Sequence, residues 1–114
     1  MEVDELKKIV LDALEDLKAK DVVVIDVRNH SSVTDIMIVA TGTSNRQVKG
    51  LAGHVVEKVK EHGVRPIGVE GEDVGEWVLV DIGDIVVHIM QEPTRKFYQL
   101  ERLWSIPESD ASNE

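Results

Sequence analysis

Apolar residues recur at helical spacing from the start of the chain. Val3, Leu6, Val10, Ala13, Leu14 and Leu17 fall on one face, and Glu5, Lys8, Asp12, Glu15 and Lys18 fill the other. That pattern predicts an amphipathic helix over roughly residues 3–20. The period then changes. Residues 22–27, V-V-V-I-D-V, form a continuous β-branched run, which predicts a buried strand. Turn residues follow at 28–32, and a second apolar strand spans 33–41, interrupted by Asp35 and broken by Gly42.

The helical period returns at 45. Ser44 and Gln47 stand in capping-box spacing, Val48, Leu51, Ala52, Val55 and Val59 share a face, and Gly63 suits a helix end. A second helix is expected over 45–62. Short strands are expected at 65–70, 76–81 and 84–90, with a tight hairpin at Ile82-Gly83. A third helix starts at Pro93-Thr94, with Phe97, Leu100 and Trp104 on one face, and ends at Pro107. The order α-β-β-α-β-β-β-α predicts one α/β domain of the α+β kind. Its mixed, about five-stranded sheet is packed by helices. The stretch from the second strand through the second helix is long enough for a parallel crossover. Residues 1–107 form the domain, and 108–114 read as a disordered acidic tail.

Charge narrows the choice of partners. Thirteen Lys and Arg stand against 22 Asp and Glu, a net charge of -9. Nonspecific nucleic-acid binding needs clustered cations, so little direct contact with nucleic acid is expected. Lys49, Lys58, Lys60 and Arg65 read as the solvated face of a helix, with a local basic patch as the sharper alternative. There is no cysteine, which removes disulfides and thiolate metal sites. No apolar run is long enough to span a membrane, and the acidic N-terminus lacks the marks of a signal peptide. A cytoplasmic protein with no membrane contact is expected.

The search for chemistry gives little. Thr41-Gly42-Thr43-Ser44 joins a strand to a helix N-terminus, a place that anions favour. It vaguely resembles the Gly-Ser turn of nucleotidyltransferases, yet the capping box accounts for Ser44 and Gln47. Asp81 and Asp84 flank a turn and do not alternate along one strand as a Mg²⁺ pair would. A nucleotidyltransferase-like enzyme working at Gly42-Thr43-Ser44 is therefore the alternative reading. His30, His54, His62 and His88 lack ligand spacing, so no metal or cofactor is expected.

Residues 70–84 set Trp77 and a valine-rich strand among six carboxylates and no cation. An aromatic beside dense negative charge suits docking of a basic protein. Alternation puts Trp77, Leu79 and Asp81 on one face, with His88 and Met90 on one face of the next strand. Polar members suggest that both faces reach solvent in part, which would make an adaptable apolar patch. An ordinary core strand is the plainer reading of the same residues, and periodicity leaves both open.

Several segments together resemble the ribosomal silencing factor family, also called Iojap or RsfS. They are T-D-I at 34–36, A-T-G-T-S-N-R-Q-V at 40–48, E-G at 70–71 and G-E-W-V-L-V-D at 75–81. G-D-I-V-V-H-I at 83–89 and F-Y-Q-L-E-R-L-W at 97–104 complete the set. Ile36 departs from the aromatic that usually follows this Asp, and the acidic tail is not a family feature.

The resemblance implies a fold that is nucleotidyltransferase-like without the catalytic set, and a noncatalytic factor. Such a factor binds the large ribosomal subunit through ribosomal protein L14, sterically blocks joining of the small subunit, and represses translation under nutrient limitation. Organellar relatives act in ribosome biogenesis. The expected protein-binding residues are Trp77, Leu79, Asp81, His88 and Met90, with Tyr98 from the 97–104 segment. A homodimer is left open for the free protein.

Overall fold

A computed structural model describes residues 2–28 and 34–98. The elements run α1 (Val3–Asp16), β1 (Lys20–Asp26), β2 (Ile36–Gly42), α2 (Asn45–Glu61), β3 (Gly68–Glu70), β4 (Trp77–Asp81), β5 (Ile85–Gln91) and α3 (Glu92–Tyr98). Their order is the one expected from the pattern. The expected end of α3 at Pro107, its face residues Leu100 and Trp104, and the tail at 108–114 lie outside the described residues.

Both long helices end in the same way. In α2, Val64 N–H bonds Val59 O and Gly63 N–H bonds Lys60 O, with Gly63 at φ 85. In α1, Ala19 N–H bonds Leu14 O and Lys18 N–H bonds Glu15 O, with Lys18 at φ 62. Glycine adopts this left-handed turn without steric cost, whereas lysine does so under strain. Helix α1 therefore stops at Asp16, short of the expected residue 20, because its stop signal is carried by a residue that does not advertise it.

The five strands form one sheet in the order β1-β2-β5-β4-β3. Strands β2 and β5 are parallel, and the pairs β1/β2, β5/β4 and β4/β3 are antiparallel. The crossover from β2 through α2 to β3 passes over β5 and β4. Strand β2 is central and buried at all seven positions.

Strand β1 is the exception to expectation. Its valine run predicted burial on both sides, yet it is an edge strand with Val22 and Val24 37% and 39% exposed. It bends at a bulge, with Asp21 at φ 49. Helices α1 and α2 cover the sheet's centre and leave this edge open, so residue type alone misjudged its position.

The helices pack on one face, over Ile36, Ile38 and Ala40 of β2, Ile85, Val87 and Ile89 of β5, and Val78 and Val80 of β4. Each fully buried Val, Leu or Ile contributes about 1.5–3 kcal/mol. The opposite face carries a smaller cluster of Ile25, Val27, Met37, Val39 and Met90, with Val23 and Trp77 packed against it. The candidate docking residues sit on this second face.

Candidate functional site: an aromatic surface beside acidic loops

Strand register builds the site. Trp77 pairs with Met90, Leu79 with His88 and Asp81 with Val86. Side chains of paired positions share a face, and diagonal neighbours lie within reach of an aromatic ring. The Trp77 indole N–H thus donates diagonally across the ladder to His88 Nδ1 at 3.0 Å. That bond requires His88 to carry its proton on Nε2 when neutral. Burial pushes the His88 pKa from 6.5 down to about 4.

Helix α3 adds the outer part. The Trp77 and Tyr98 rings lie 4.8 Å apart at 49°, and Phe97 meets Tyr98 edge-on at 4.9 Å and 84°. Tilted and edge-on arrangements are those that aromatic quadrupoles favour. Phe97 is 79% exposed and Tyr98 49%, while Trp77 is half-buried between them and the Met90 cluster. Phe97 therefore presents its ring to solvent.

Arg95 fixes the position of α3. Its guanidinium is buried and donates to Asp21 O at 2.5 Å and Thr41 Oγ1 at 2.8 Å, tying α3 to the bulge of β1 and the end of β2. The left-handed Asp21 turns its carbonyl toward this charge. Hydrogen-bonded burial is what makes such a cation tolerable.

The acidic loop from Gly71 to Glu76 approaches the same strand. At Gly71, with φ 89, a Cβ would sit 2.1 Å from Trp77 O, so only glycine fits this close approach. Gln91 clamps the loop's far end. Its backbone N–H bonds Glu76 O at 3.0 Å, and its side chain bonds Gly75 O at 3.1 Å and Asn45 Oδ1. Glu70, Glu72, Asp73 and Glu76 are all exposed. Asp81 is half-buried and accepts from Gly83 N–H at 2.9 Å, which closes the turn into β5.

The expected residues therefore come together, but in different roles. Trp77, Leu79 and Asp81 are half-buried and Tyr98 is half-exposed, so these four reach the surface. The expectation that the His88/Met90 face reaches solvent is corrected: Met90 is 0% and His88 6% exposed. The Trp77 ring covers both, bonding His88 and packing on the Met90 cluster, so they support the surface from below. Sequence reasoning passed over Phe97, Arg95 and Gly71 as parts of this surface. Only the E-G pair before a tryptophan strand hinted at one of them.

The strand-to-helix turn is occupied by its own capping. Ser44 Oγ accepts from Gln47 N–H at 3.1 Å, and Gln47 Oε1 accepts from Thr43 N–H at 2.5 Å and Thr43 Oγ1–H at 2.7 Å. The Thr43 and Gln47 N–H groups, which an anion would use, are thereby engaged. Thr34 and residues 35–36 bond Asp84 O at the start of β2, whereas Thr43 follows its end. The length of β2, roughly 20 Å, thus separates the Asp81/Asp84 turn from Thr43. Among the described residues no His, Asp and Glu side chains cluster as metal ligands. Nor is any helix among them long and apolar enough to cross a membrane.

Comparison with known proteins gives a consistent picture. The sequence profile described as "Ribosomal silencing factor during starvation" matches residues 1–114. A Chromobacterium violaceum protein named ribosomal silencing factor RsfS is 52% identical over 104 residues, 91% of this chain and 85% of that one. A crystal structure of a protein from the same organism superposes with a TM-score of 0.91 at 51% identity, covering 92% of this chain and 88% of that one. A mouse protein named mitochondrial assembly of ribosomal large subunit protein 1 is 34% identical over 95 residues, 81% of this chain and 42% of that longer one.

Proposed function

This chain belongs to the ribosomal silencing factor family, and from that premise we propose that it docks on the large ribosomal subunit through ribosomal protein L14. The surface formed by Trp77, Leu79, Asp81, Phe97 and Tyr98 makes the contact. One observation carries this reading: an exposed aromatic cluster, on a helix tethered by Arg95 and a strand closely approached at Gly71, next to four exposed carboxylates. Aromatic side chains with restricted motion supply contact area at low entropic cost. Acidic neighbours steer the encounter with a basic protein. The net charge of -9 also discourages indiscriminate binding to RNA.

The bound domain acts by occupancy. It fills space that the small subunit needs, and translation falls in proportion to the fraction of large subunits covered. No turnover is involved, and the protein works in the cytoplasm. The mouse relative's name supports the large subunit as the partner. Co-sedimentation with purified subunits tests the reading. The chain is expected to pellet with large subunits and not with small ones, and equal pelleting with both, or with neither, would contradict it.

A further inference from the structure

A cleft lies on the helix side of the sheet, away from the aromatic surface. Its volume is about 640 Å³, and it opens between the C-terminal half of α2 and strand β3. Val56, Val64, Pro66 and Val69 provide its apolar walls, and Lys60 and Arg65 provide its charge. No carboxylate of the described residues lines it. Among the described residues, neither the Lys60 ammonium nor the Arg65 guanidinium has an ion-pair or hydrogen-bond partner. The neighbouring cation Lys58, by contrast, is paired with Glu61 at 3.5 Å.

In a chain of net charge -9, a cleft whose charges among the described residues are two cations with unpaired side chains is a local reversal of sign. The plainer account of Lys60 is that it complements the negative end of α2. That account leaves Arg65, which lies beyond the helix, and the apolar walls without a role.

One wall of the cleft is a strand edge. Among the described residues, strand β3 is outermost in the sheet and pairs on one side only, with β4. Gly68 and Val69 of β3 line the cleft, and open space surrounds the position of a Cβ at Gly68. Ile67, just before β3, is 71% exposed and extends the apolar rim. An open strand edge offers backbone hydrogen bonds to an extended chain, and a neighbouring pocket selects its alternate side chains.

We propose that this cleft is a docking site for an extended segment of a partner protein that alternates apolar and acidic residues. The segment lies along the outer edge of β3. Its apolar side chains enter between Val56 and Val69, and its carboxylates meet Lys60 and Arg65. Charge complementarity and the open edge select this occupant. A cationic segment would be repelled. A nucleic acid would leave the strand edge unused and would meet the acidic remainder of the molecule. The site faces away from the Trp77 surface, so both can be filled at once, and it stands independently of the identity of the partner there.

The test is an amide-shift titration of the full chain with three probes: a blocked heptapeptide alternating glutamate and valine, its lysine counterpart, and a short uridine oligonucleotide. The glutamate peptide is expected to bind saturably and to shift Val56, Lys60, Gly68 and Val69. The double variant K60E/R65E is expected to bind at least tenfold more weakly with an unchanged melt, and W77A to bind as the parent does. The lysine peptide should leave the cleft unperturbed. Saturation by the lysine peptide, tighter binding of the oligonucleotide to the same residues, or no shift at millimolar glutamate peptide would each overturn the proposal.

Discussion

The indole N–H of Trp77 donates to Nδ1 of His88, joining the surface aromatic of β4 to a buried histidine of β5. The bond depends on a neutral imidazole. Burial holds the folded-state pKa near 4, whereas the unfolded side chain titrates near 6.5. Above pH 6.5 neither state takes up the proton. As pH falls below that value, the unfolded chain binds a proton that the folded chain refuses, so stability is lost. The loss approaches about 1.4 kcal/mol per pH unit and stops once pH passes about 4. Urea unfolding of the parent and of His88→Gln across pH 4–7 measures it. The parent should lose more stability than the variant over this window, and parallel curves would contradict the assignment.

Phe97 and Tyr98 are exposed enough that removing them should cost little folding energy. Phe97→Ala and Tyr98→Ala are expected to change stability by about 0.5 kcal/mol or less. Each should weaken large-subunit binding, with Tyr98 the stronger at about 2 kcal/mol. Trp77→Ala should weaken binding and also lower stability, because the ring both packs on the Met90 cluster and reaches the surface. Melting curves beside binding isotherms separate the two. Loss of stability without loss of binding would make Trp77 a core residue only.

Two glycines give opposite expectations. Gly71→Ala forces a Cβ toward Trp77 O and a strained φ, and should cost about 2 kcal/mol or more. Gly50→Ala lies inside α2 with open space around the new methyl, and should stabilise by up to about 1 kcal/mol. Chemical denaturation of both variants checks the pair, and equal effects would show that the close approach at Gly71 is misplaced.

Arg95 is expected to act on α3 first and on the core second. Arg95→Met keeps the volume but removes the bonds to Asp21 O and Thr41 Oγ1. A loss of about 1–3 kcal/mol is expected from the unsatisfied partners. Tyr98 should then lose its fixed seat against Trp77. Tyrosine and tryptophan fluorescence would report the separation, and an unchanged spectrum with unchanged binding would show that α3 is positioned by other contacts.

Much of this fold could be read from local pattern, because α2, β2 and β5 carry their own signals. Ser44 and Gly63 bound α2, and apolar runs mark the two central strands. What escaped were features set by distant parts of the chain. The valines of β1 look like a core strand, yet the helices stop short of that edge. Lys18 ends α1 in a conformation that glycine would have announced. Trp77 and Tyr98 are 21 positions apart, and the tethers of Arg95 to Asp21 and Thr41 hold the helix that brings their rings together. Met90 looked like a surface residue because alternation assigns a face without saying what covers it.

On the proposed function, the aromatic surface holds this domain where the small subunit must bind. Light scattering during subunit joining tests it most directly. Large subunits preincubated with the protein are mixed with small subunits, with the parent compared against the Phe97→Ala/Tyr98→Ala double variant. The parent is expected to suppress joining in proportion to its occupancy, saturating near one protein per large subunit, and the double variant to restore joining at the same concentration. Undiminished joining with the parent bound, or equal suppression by the double variant, would contradict it.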